Sequence, residues 1–155
     1  LHVSIWGNST IEMLPPAEME FPSSEDEQAW LCTYESKFVP ESEQYNSIKT
    51  VLPVSLTESE LGILEKICKE AYYLTGCRDY ARIDIRMKDG HFYILDINPN
   101  SDICPDTSTI LAAEYAGYTY NDFLSNLISM AVQRHPIWGS KSARPSQVTQ
   151  SITPM

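Results

Sequence analysis

The chain has no run of about 18 apolar residues, the length that a membrane-spanning helix requires. It also has few basic residues: 11 Lys and Arg stand against 21 Asp and Glu, for a net charge of −10. Residues 1–60 contain only two of those bases, Lys37 and Lys49. Because nucleic-acid binding needs a basic face, this balance argues against nucleic acid as a partner, and the missing apolar run argues against a membrane.

Several motifs of nucleotide-binding and hydrolytic enzymes are missing as well. The chain contains no G-x-x-x-x-G-K-[ST] phosphate loop, no G-x-G-x-x-G, no H-E-x-x-H and no G-x-S-x-G, and its three histidines are scattered. A zinc hydrolase or a triad hydrolase is therefore not favoured. The four cysteines form no C-x-x-C pair, so we expect no disulfide framework in a chain with 43% apolar residues. This cysteine usage predicts a cytoplasmic location.

The most informative stretch is residues 80–98, YARIDIRMKDGHFYILDIN. Apolar and polar residues alternate in its first half, as they do in a strand with one buried face. One face of this strand carries the apolar residues Ala81, Ile83, Ile85 and Met87. The other face carries Arg82, Asp84 and Arg86. Residues 88–90, Lys-Asp-Gly, predict a three-residue hairpin loop with the glycine in the left-handed conformation. The return strand is predicted to place on one face Phe92, Ile94, Asp96 and Asn98.

The length of the hairpin loop decides whether two carboxylates meet. With a three-residue loop, even-numbered residues oppose even-numbered residues, so one side of the ribbon holds Arg82, Asp84, Asp96 and Asn98. A two-residue Asp89-Gly90 loop would put Asp84 and Asp96 on opposite faces. We predict the three-residue loop.

This side of the ribbon offers two carboxylates and one amide oxygen, a set of hard ligands that suits Mg²⁺ or Mn²⁺. Arg82 fits beside a cation if a phosphate also binds there, because a guanidinium pairs bidentately with phosphate oxygens. The alternative is an exposed sheet face that carries only an Arg–Asp ion pair. The end of the strand at Asn98, just before Pro99, favours the metal site.

The remaining residues predict further strands, loops and three helices. Residues 1–7 predict a strand, 8–27 a long loop, 29–38 a second strand and 40–54 another loop. Residues 57–60, TESE, form a capping box, and Gly76 ends the helix that they begin. Asp106 or Thr107 caps a short helix that ends before Gly117, and residues 119–122 begin the last helix. Residues 136–155 are polar and contain no acid, which predicts a loosely held, flexible tail.

Residues 80–117 resemble the C-terminal part of the ATP-grasp fold, and are closest to D-alanine–D-alanine ligases. In that family an Arg-x-Asp strand is followed by a hairpin, an acid-x-Asn strand, and then a loop and helix ending in Ala-Gly. The resemblance implies an α+β fold, an antiparallel sheet with helices packed on one face. It also implies that residues 1–135 are the C-terminal subdomain of an ATP-grasp fold and a fragment of a larger enzyme, followed by the tail at 136–155.

Functional residues of the family can be assigned by position. Asp84, Asp96 and Asn98 match its metal ligands. Arg82 matches the arginine that stabilises the acyl phosphate and the tetrahedral species. Residues 33–38, TYESKF, resemble the segment Tyr-Glu-Ala-Lys-Tyr, whose lysine touches the transferred phosphate, so Lys37 takes that role. The resemblance therefore implies ATP and Mg²⁺ (or Mn²⁺) as cofactors, with Lys37, Arg82 and Asn98 at the nucleotide.

The loop at residues 99–109 departs from the family pattern. The equivalent loop supplies amides to the oxyanion and hydroxyls to the carboxylate of the second substrate. Here Asp102 replaces a usual glycine, while Thr107 and Ser108 stand near the usual serine. Asp102 could repel a substrate carboxylate or bind an ammonium group. Cys104 lies in the same loop, but no base partner is evident, so we do not expect it to be a nucleophile.

The resemblance implies an ATP-dependent carboxylate–amine ligase that forms an amide bond through an acyl phosphate. This chain would be its metal- and phosphate-binding half, and we expect it to be inactive alone. Two alternatives remain open: a dipeptide or other amino-acid ligase of the ATP-grasp class, which Asp102 favours, and a non-catalytic nucleotide-binding or interaction module. The expected partners are ATP and small amino-acid or carboxylate substrates, and a homodimer is left open.

Overall fold

A computed structural model of the chain describes residues 1–21, 41–42 and 47–139. These residues contain the strands β1 (His2–Gly7), β2 (Ile11–Met13), β3 (Glu18–Glu20), β4 (Lys49–Val51), β5 (Tyr80–Lys88) and β6 (His91–Asn98). They also contain the helices α1 (Glu58–Leu74), α2 (Ser108–Tyr115) and α3 (Tyr120–Gln133). The strand predicted at 29–38, which includes Lys37, lies outside the described residues, as does most of the predicted tail.

Four of these strands form one antiparallel sheet in the order β2-β1-β5-β6, and β3 and β4 pair separately. The prediction of uninterrupted loops at 8–27 and 40–54 was wrong, because β2, β3 and β4 fall within them. Each of these strands has only three residues, too few for alternation to be visible in the sequence. Their partners come from other parts of the chain, so pairing rather than local propensity decides them.

The helix ends follow the predicted signals. At the start of α1, Thr57 Oγ1 accepts a hydrogen bond from the Glu60 amide (3.3 Å) and the Thr57 amide donates to Glu60 Oε2 (2.8 Å). The same reciprocal box joins Thr119 and Asp122 at the start of α3. Thr107 is the N-cap of α2, as one of the two predicted alternatives, although its side chain makes no capping hydrogen bond. Capping boxes of this kind satisfy amides that a helix cannot pair internally.

Both faces of β1 are buried. Helix α1 covers one face, and α2 and α3 cover the other. On one face, Val3 and Ile5 pack with Ala81 and Ile83 of β5 in a core that α1 covers. The α1 residues in this core are Leu64, Cys68 and Tyr72. On the other face Trp6 packs with α2 and α3, and its ring stacks on Phe123 with centroids 5.3 Å apart. The α+β class is confirmed, and the structure adds that helices flank both faces of this strand.

The hairpin between β5 and β6 has a two-residue turn, so the prediction of a three-residue loop was wrong. Lys88 pairs with His91, and the turn residues Asp89 and Gly90 have φ of +51° and +74°. Two successive residues with positive φ are the requirement of a type I′ turn, and Asp-Gly is one of the few pairs that meets it readily. The backbone twist of this turn matches the right-handed twist of the two strands that it joins. A longer loop is under no such requirement.

A β-bulge restores the facing of the carboxylates. Ile85 pairs with Ile94 but Asp84 pairs with Asp96, which leaves Leu95 without a partner. The extra residue reverses the alternation along β6. Asp96 and Asn98 therefore share a face with Asp84, as predicted. The prediction that they share it with Phe92 and Ile94 was wrong, since these two pair with Met87 and Ile85 on the α1 side of the sheet.

Within the part of the chain that the structure describes, no helix is both long and apolar enough to cross a lipid bilayer.

Candidate active site

One face of the sheet carries two rows of polar side chains across three strands. The first row runs from His2 on β1 through Asp84 on β5 to Asp96 on β6, and the second contains Ser4, Arg82 and Asn98 in the same order. We call these six residues the polar strip. The rows are adjacent because each strand contributes residues two positions apart, which lie on the same side of a pleated strand.

At the centre of the polar strip, Arg82 and Asp84 form a two-pronged ion pair. Arg82 Nε donates to Asp84 Oδ1 at 2.7 Å, and the Arg82 Nη2 donates to Oδ2 at 3.1 Å. Their side chains are only 15% and 21% exposed. A fork of this kind is stronger and more directional than an ordinary surface pair. It therefore holds the Asp84 carboxylate in one orientation while leaving Arg82 with further donors.

The start of α2 lies against one side of the polar strip. His2 Nδ1 is 2.8 Å from Ser108 Oγ, and His2 Nε2 is 3.7 Å from Asp84 Oδ1. In the neighbouring row, Ser4 Oγ donates to Thr109 Oγ1 at 2.9 Å, and both residues are buried. The His2–Ser108 and Ser4–Thr109 contacts join residues more than 100 positions apart in the chain and fix α2 on the sheet.

The loop that follows β6 is organised by short side-chain hydrogen bonds. Asn98 Oδ1 accepts from the Asn100 amide at 3.1 Å, and Asp102 Oδ1 accepts from the Cys104 amide at 2.9 Å. Thr107 Oγ1 donates to the Cys104 carbonyl at 2.8 Å. Carboxylates and amides that bond their own backbone in this way define turns without needing regular structure.

Electrostatics in this loop disfavour a reactive thiol. The backbone and side-chain hydrogen bonds with Cys104, and to a lesser extent the charge of Arg82, hold the pKa of Asp102 below its usual range. The hydrogen bond and negative charge of Asp102 in turn raise the pKa of Cys104. A thiolate is thus disfavoured, which agrees with the expectation that Cys104 is not a nucleophile. Asp102 remains an exposed carboxylate, whose field reaches Arg82 in the polar strip.

The donor atoms of the polar strip are compatible with a hard divalent cation. Asp84 and Asp96 offer carboxylate oxygens from directly opposed positions, and Asn98 lies two residues from Asp96 on the same face. Asn98 Oδ1 bonds the Asn100 amide, but an amide oxygen has a second lone pair. The described residues contain no group of three or more His, Cys, Asp or Glu that could hold a metal. Two carboxylates and an amide fit Mg²⁺, which takes its other ligands from water and phosphate.

The structure brings together four of the predicted site residues: Arg82, Asp84, Asp96 and Asn98. Ser108 joins them through His2, whereas Thr107 hydrogen-bonds within its own loop and Lys37 lies outside the described residues. His2, Ser4 and Thr109 were not among the predicted site residues. The alternation of residues 1–7 was the available signal for the first two, since a polar residue at positions 2 and 4 marks one face of the strand.

The chain is similar to known proteins over most of its length. A family model described as D-ala D-ala ligase C-terminus matches residues 1–129. The uncharacterised protein y4sG of Sinorhizobium fredii is 28% identical over 136 residues, which are 87% of this chain and 38% of that protein. A D-alanine–D-alanine ligase of Synechococcus is 27% identical over 128 residues, or 78% of this chain and 36% of the ligase.

Among solved structures, the D-alanine–D-alanine ligase of Bacillus anthracis complexed with ATP is similar with a TM-score of 0.64 and 18% sequence identity. The similarity covers 85% of this chain and 37% of that one. It shows that the fold is shared. The chain spans less than two-fifths of the length of these relatives.

Proposed function

The chain belongs to the D-ala D-ala ligase C-terminus family, and from that premise we propose that it is the metal- and phosphate-binding half of an ATP-dependent carboxylate–amine ligase. The observation that carries this proposal is the register of β5 and β6, which sets Asp84 opposite Asp96 and Arg82 opposite Asn98. Two carboxylates, an amide oxygen and a guanidinium on one sheet face can serve a metal-bound polyphosphate, which needs both a cation and a donor of hydrogen bonds.

Each residue has a distinct role in this proposal. Asp84, Asp96 and Asn98 hold the cation, which when bound neutralises charge on the outer phosphates of ATP. Arg82 binds the phosphate that is transferred, because its fork on Asp84 uses only part of its five donors. Lys37 contributes a second positive charge to that phosphate. A guanidinium held in place before the reaction, as Arg82 is by Asp84, stabilises the developing oxyanion without reorganising at that moment.

The reaction would proceed in two transfers. A carboxylate oxygen of the first substrate attacks the terminal phosphorus of ATP, and the bond to ADP breaks to leave an acyl phosphate. The amine of the second substrate then attacks the acyl carbon, phosphate departs, the nitrogen loses a proton, and an amide bond is formed. No covalent bond to the protein is required, so the side chains act by position and charge.

Mn²⁺ binding by the chain tests the metal site directly. We expect Asp96→Asn to weaken Mn²⁺ binding by roughly tenfold or more, as loss of a supporting group at a metal centre does, because one of the two carboxylates is removed. Electron paramagnetic resonance of free Mn²⁺ during a titration measures this affinity. Mg²⁺ should compete with Mn²⁺ for the parent site.

Asp89→Asn is the matched control for this titration. It removes the same charge from the exposed tip of the same hairpin, at a residue with φ of +51° that asparagine also adopts readily. The control should bind Mn²⁺ as the parent does. Equal affinity in the parent, Asp96→Asn and Asp89→Asn would remove the metal site and the function built on it.

A second candidate function differs in substrate, and the ionised Asp102 favours it. An exposed carboxylate within the loop at 99–107 would repel the carboxylate of a D-alanine acceptor and attract an ammonium group. We infer a dipeptide ligase or other amino-acid ligase of the ATP-grasp class, whose substrates are amino acids other than D-alanine. A panel of amino acids, scored for ATP-dependent ADP release by the complete enzyme, separates the two, and a strong preference for D-alanine would contradict this choice.

We also propose that the 155-residue chain has no ligase turnover by itself, because it spans less than two-fifths of its relatives. A non-catalytic module would likewise bind nucleotide without turnover, so only the complete enzyme distinguishes these readings. ADP release by the isolated chain in the presence of Mg²⁺ would overturn the first statement. Absence of ADP release by the complete enzyme with every amine tested would favour the module.

A further inference from the structure

His2 connects two parts of the proposed site that are far apart in the chain. One ring nitrogen, Nδ1, lies 2.8 Å from Ser108 Oγ at the first residue of α2, and the other, Nε2, lies 3.7 Å from Asp84 Oδ1 on β5. The His2 side chain is 15% exposed, so both contacts are partly shielded from water. Because β1 pairs with β5 at these positions, the ring is carried by the sheet itself.

The two contacts determine how the ring must be used. A nitrogen lone pair facing a carboxylate would repel it, so Nε2 carries a hydrogen toward Asp84. In the neutral ring Nδ1 is then an acceptor, and the Ser108 hydroxyl, which can donate or accept, is its donor. Ser108 thereby supplies the donor that this tautomer needs, and the ring points a positive edge at Asp84. A serine and a histidine arranged in this way orient a carboxylate from outside its own ligand set.

Resting on the function proposed above, we propose that His2 is a positioning residue for the cation ligand Asp84. Asp84 Oδ1 accepts a hydrogen bond from Arg82 Nε at 2.7 Å, and His2 Nε2 lies 3.7 Å from the same oxygen. When Arg82 turns donors toward a phosphate, the contact with His2 remains and keeps the carboxylate aimed across to β6. The same ring also links Asp84 to the start of α2, where Ser108 directly follows the loop at residues 99–107.

Three variants test this role by Mn²⁺ titration of the chain. His2→Leu keeps the bulk but removes both polar edges, and we expect about tenfold weaker Mn²⁺ binding, the usual loss when an outer partner of a ligand is removed. His2→Gln presents one acceptor and one donor on adjacent atoms and should retain most of the affinity. Ser108→Ala should weaken binding less than His2→Leu does. Adding it to His2→Leu should have no further effect, because the ring through which Ser108 acts is already absent.

Unfolding in urea, measured on the same variants, separates positioning from a purely structural role. If His2 only supports the fold, His2→Leu and Ser108→Ala lower the free energy of unfolding and leave the Mn²⁺ affinity of the folded chain unchanged, and the inference fails. It also fails if His2→Gln binds as weakly as His2→Leu. A parent whose Mn²⁺ binding does not depend on Asp96 overturns the proposed function together with this inference. If Mn²⁺ binding by the parent depends on Asp96 but not on His2, the inference alone is overturned and the proposed function stands.

Discussion

Deleting Leu95 from the middle of β6 should leave the polar strip intact. A one-residue deletion normally turns every following side chain of a strand to the other face. Here the deletion removes the unpaired residue of the bulge, so the pairs on its two sides, Ile85 with Ile94 and Asp84 with Asp96, become consecutive. Asp96 and Asn98 then keep their face by regular alternation, without the bulge.

The energetic cost of this deletion follows from the exposure of the side chain. Leu95 is 62% exposed, so nearly two-fifths of its surface is buried. Full burial of a leucine contributes about 1.5–3 kcal/mol, and the loss of that buried part therefore costs roughly 0.6–1.1 kcal/mol. The repaired ladder offsets part of this, because the bulge interrupts the hydrogen bonds between β5 and β6. We expect a net change in the free energy of unfolding below about 1 kcal/mol.

Urea denaturation and Mn²⁺ titration of the deletion variant measure the two expectations. Deletion of Ile97 is the control. Without Ile97, either Asp96 or Asn98 must turn to the α1 side of the sheet, whichever register β6 adopts, and a polar group then enters the partly buried position of Ile97 at a cost of about 1–3 kcal/mol. If the Leu95 deletion destabilises the chain as strongly as the Ile97 deletion, or abolishes Mn²⁺ binding, the described register is refuted.

Three other outcomes are expected. Leu64→Ala should lower the free energy of unfolding in urea by about 2–5 kcal/mol, because Leu64 is fully buried between α1 and the sheet, and a loss below this range would contradict that packing. Burial alone raises the pKa of Asp79, but hydrogen bonds from Arg134 and Asn8, together with the charges of Arg134 and Arg78, outweigh it and leave that pKa below its ordinary value. The stabilisation is therefore present at neutral pH and lost as pH falls through the depressed pKa, so Arg134→Met should lower the thermal midpoint at neutral pH and converge with the parent in acid; a constant difference across pH would count against the pair. Asp102→Asn should lower the pKa of Cys104 and speed its reaction with a disulfide reagent at neutral pH, as followed by peptide mass spectrometry, and an unchanged rate would rule out their coupling.

Some features were predictable because they depend on residues close together in the chain. The alternation of residues 81–86 determined which side chains of that part of β5 are buried, whereas Met87, predicted on the same face, is exposed. The capping boxes at Thr57 and Thr119 determined where two helices begin. In each case the cause is local: side chains point to alternate faces of a strand, and a threonine caps amides two or three residues ahead. The shared face of Asp84 and Asp96 was also predicted correctly, but from a loop of the wrong length, and their direct pairing was not predicted.

This shared face shows how counting residues along a hairpin limits prediction from sequence, because each one-residue change turns the side chains of β6 to the other face. A turn shorter by one residue and a bulge of one residue each reverse the facing of β6, and together they cancel. No local signal distinguishes Leu95 from its apolar neighbours. Leu95 is unpaired because the register at the turn and the register at the far end of β6 differ by one residue. The turn end is set by the positive φ angles of Asp89 and Gly90, and the far end by the packing of Ile97 against the α1 core.

The amino-acid sequence by itself therefore determined the kinds of element, the helix starts and the polar residues that lie on each β5 face, because these depend on neighbours within a few positions. Only the tertiary structure decided the bulge at Leu95, the short strands β2, β3 and β4, and the approach of His2 to Ser108. These depend on contacts between distant segments, whose free energy is gained only when the sheet and both sets of helices have packed together.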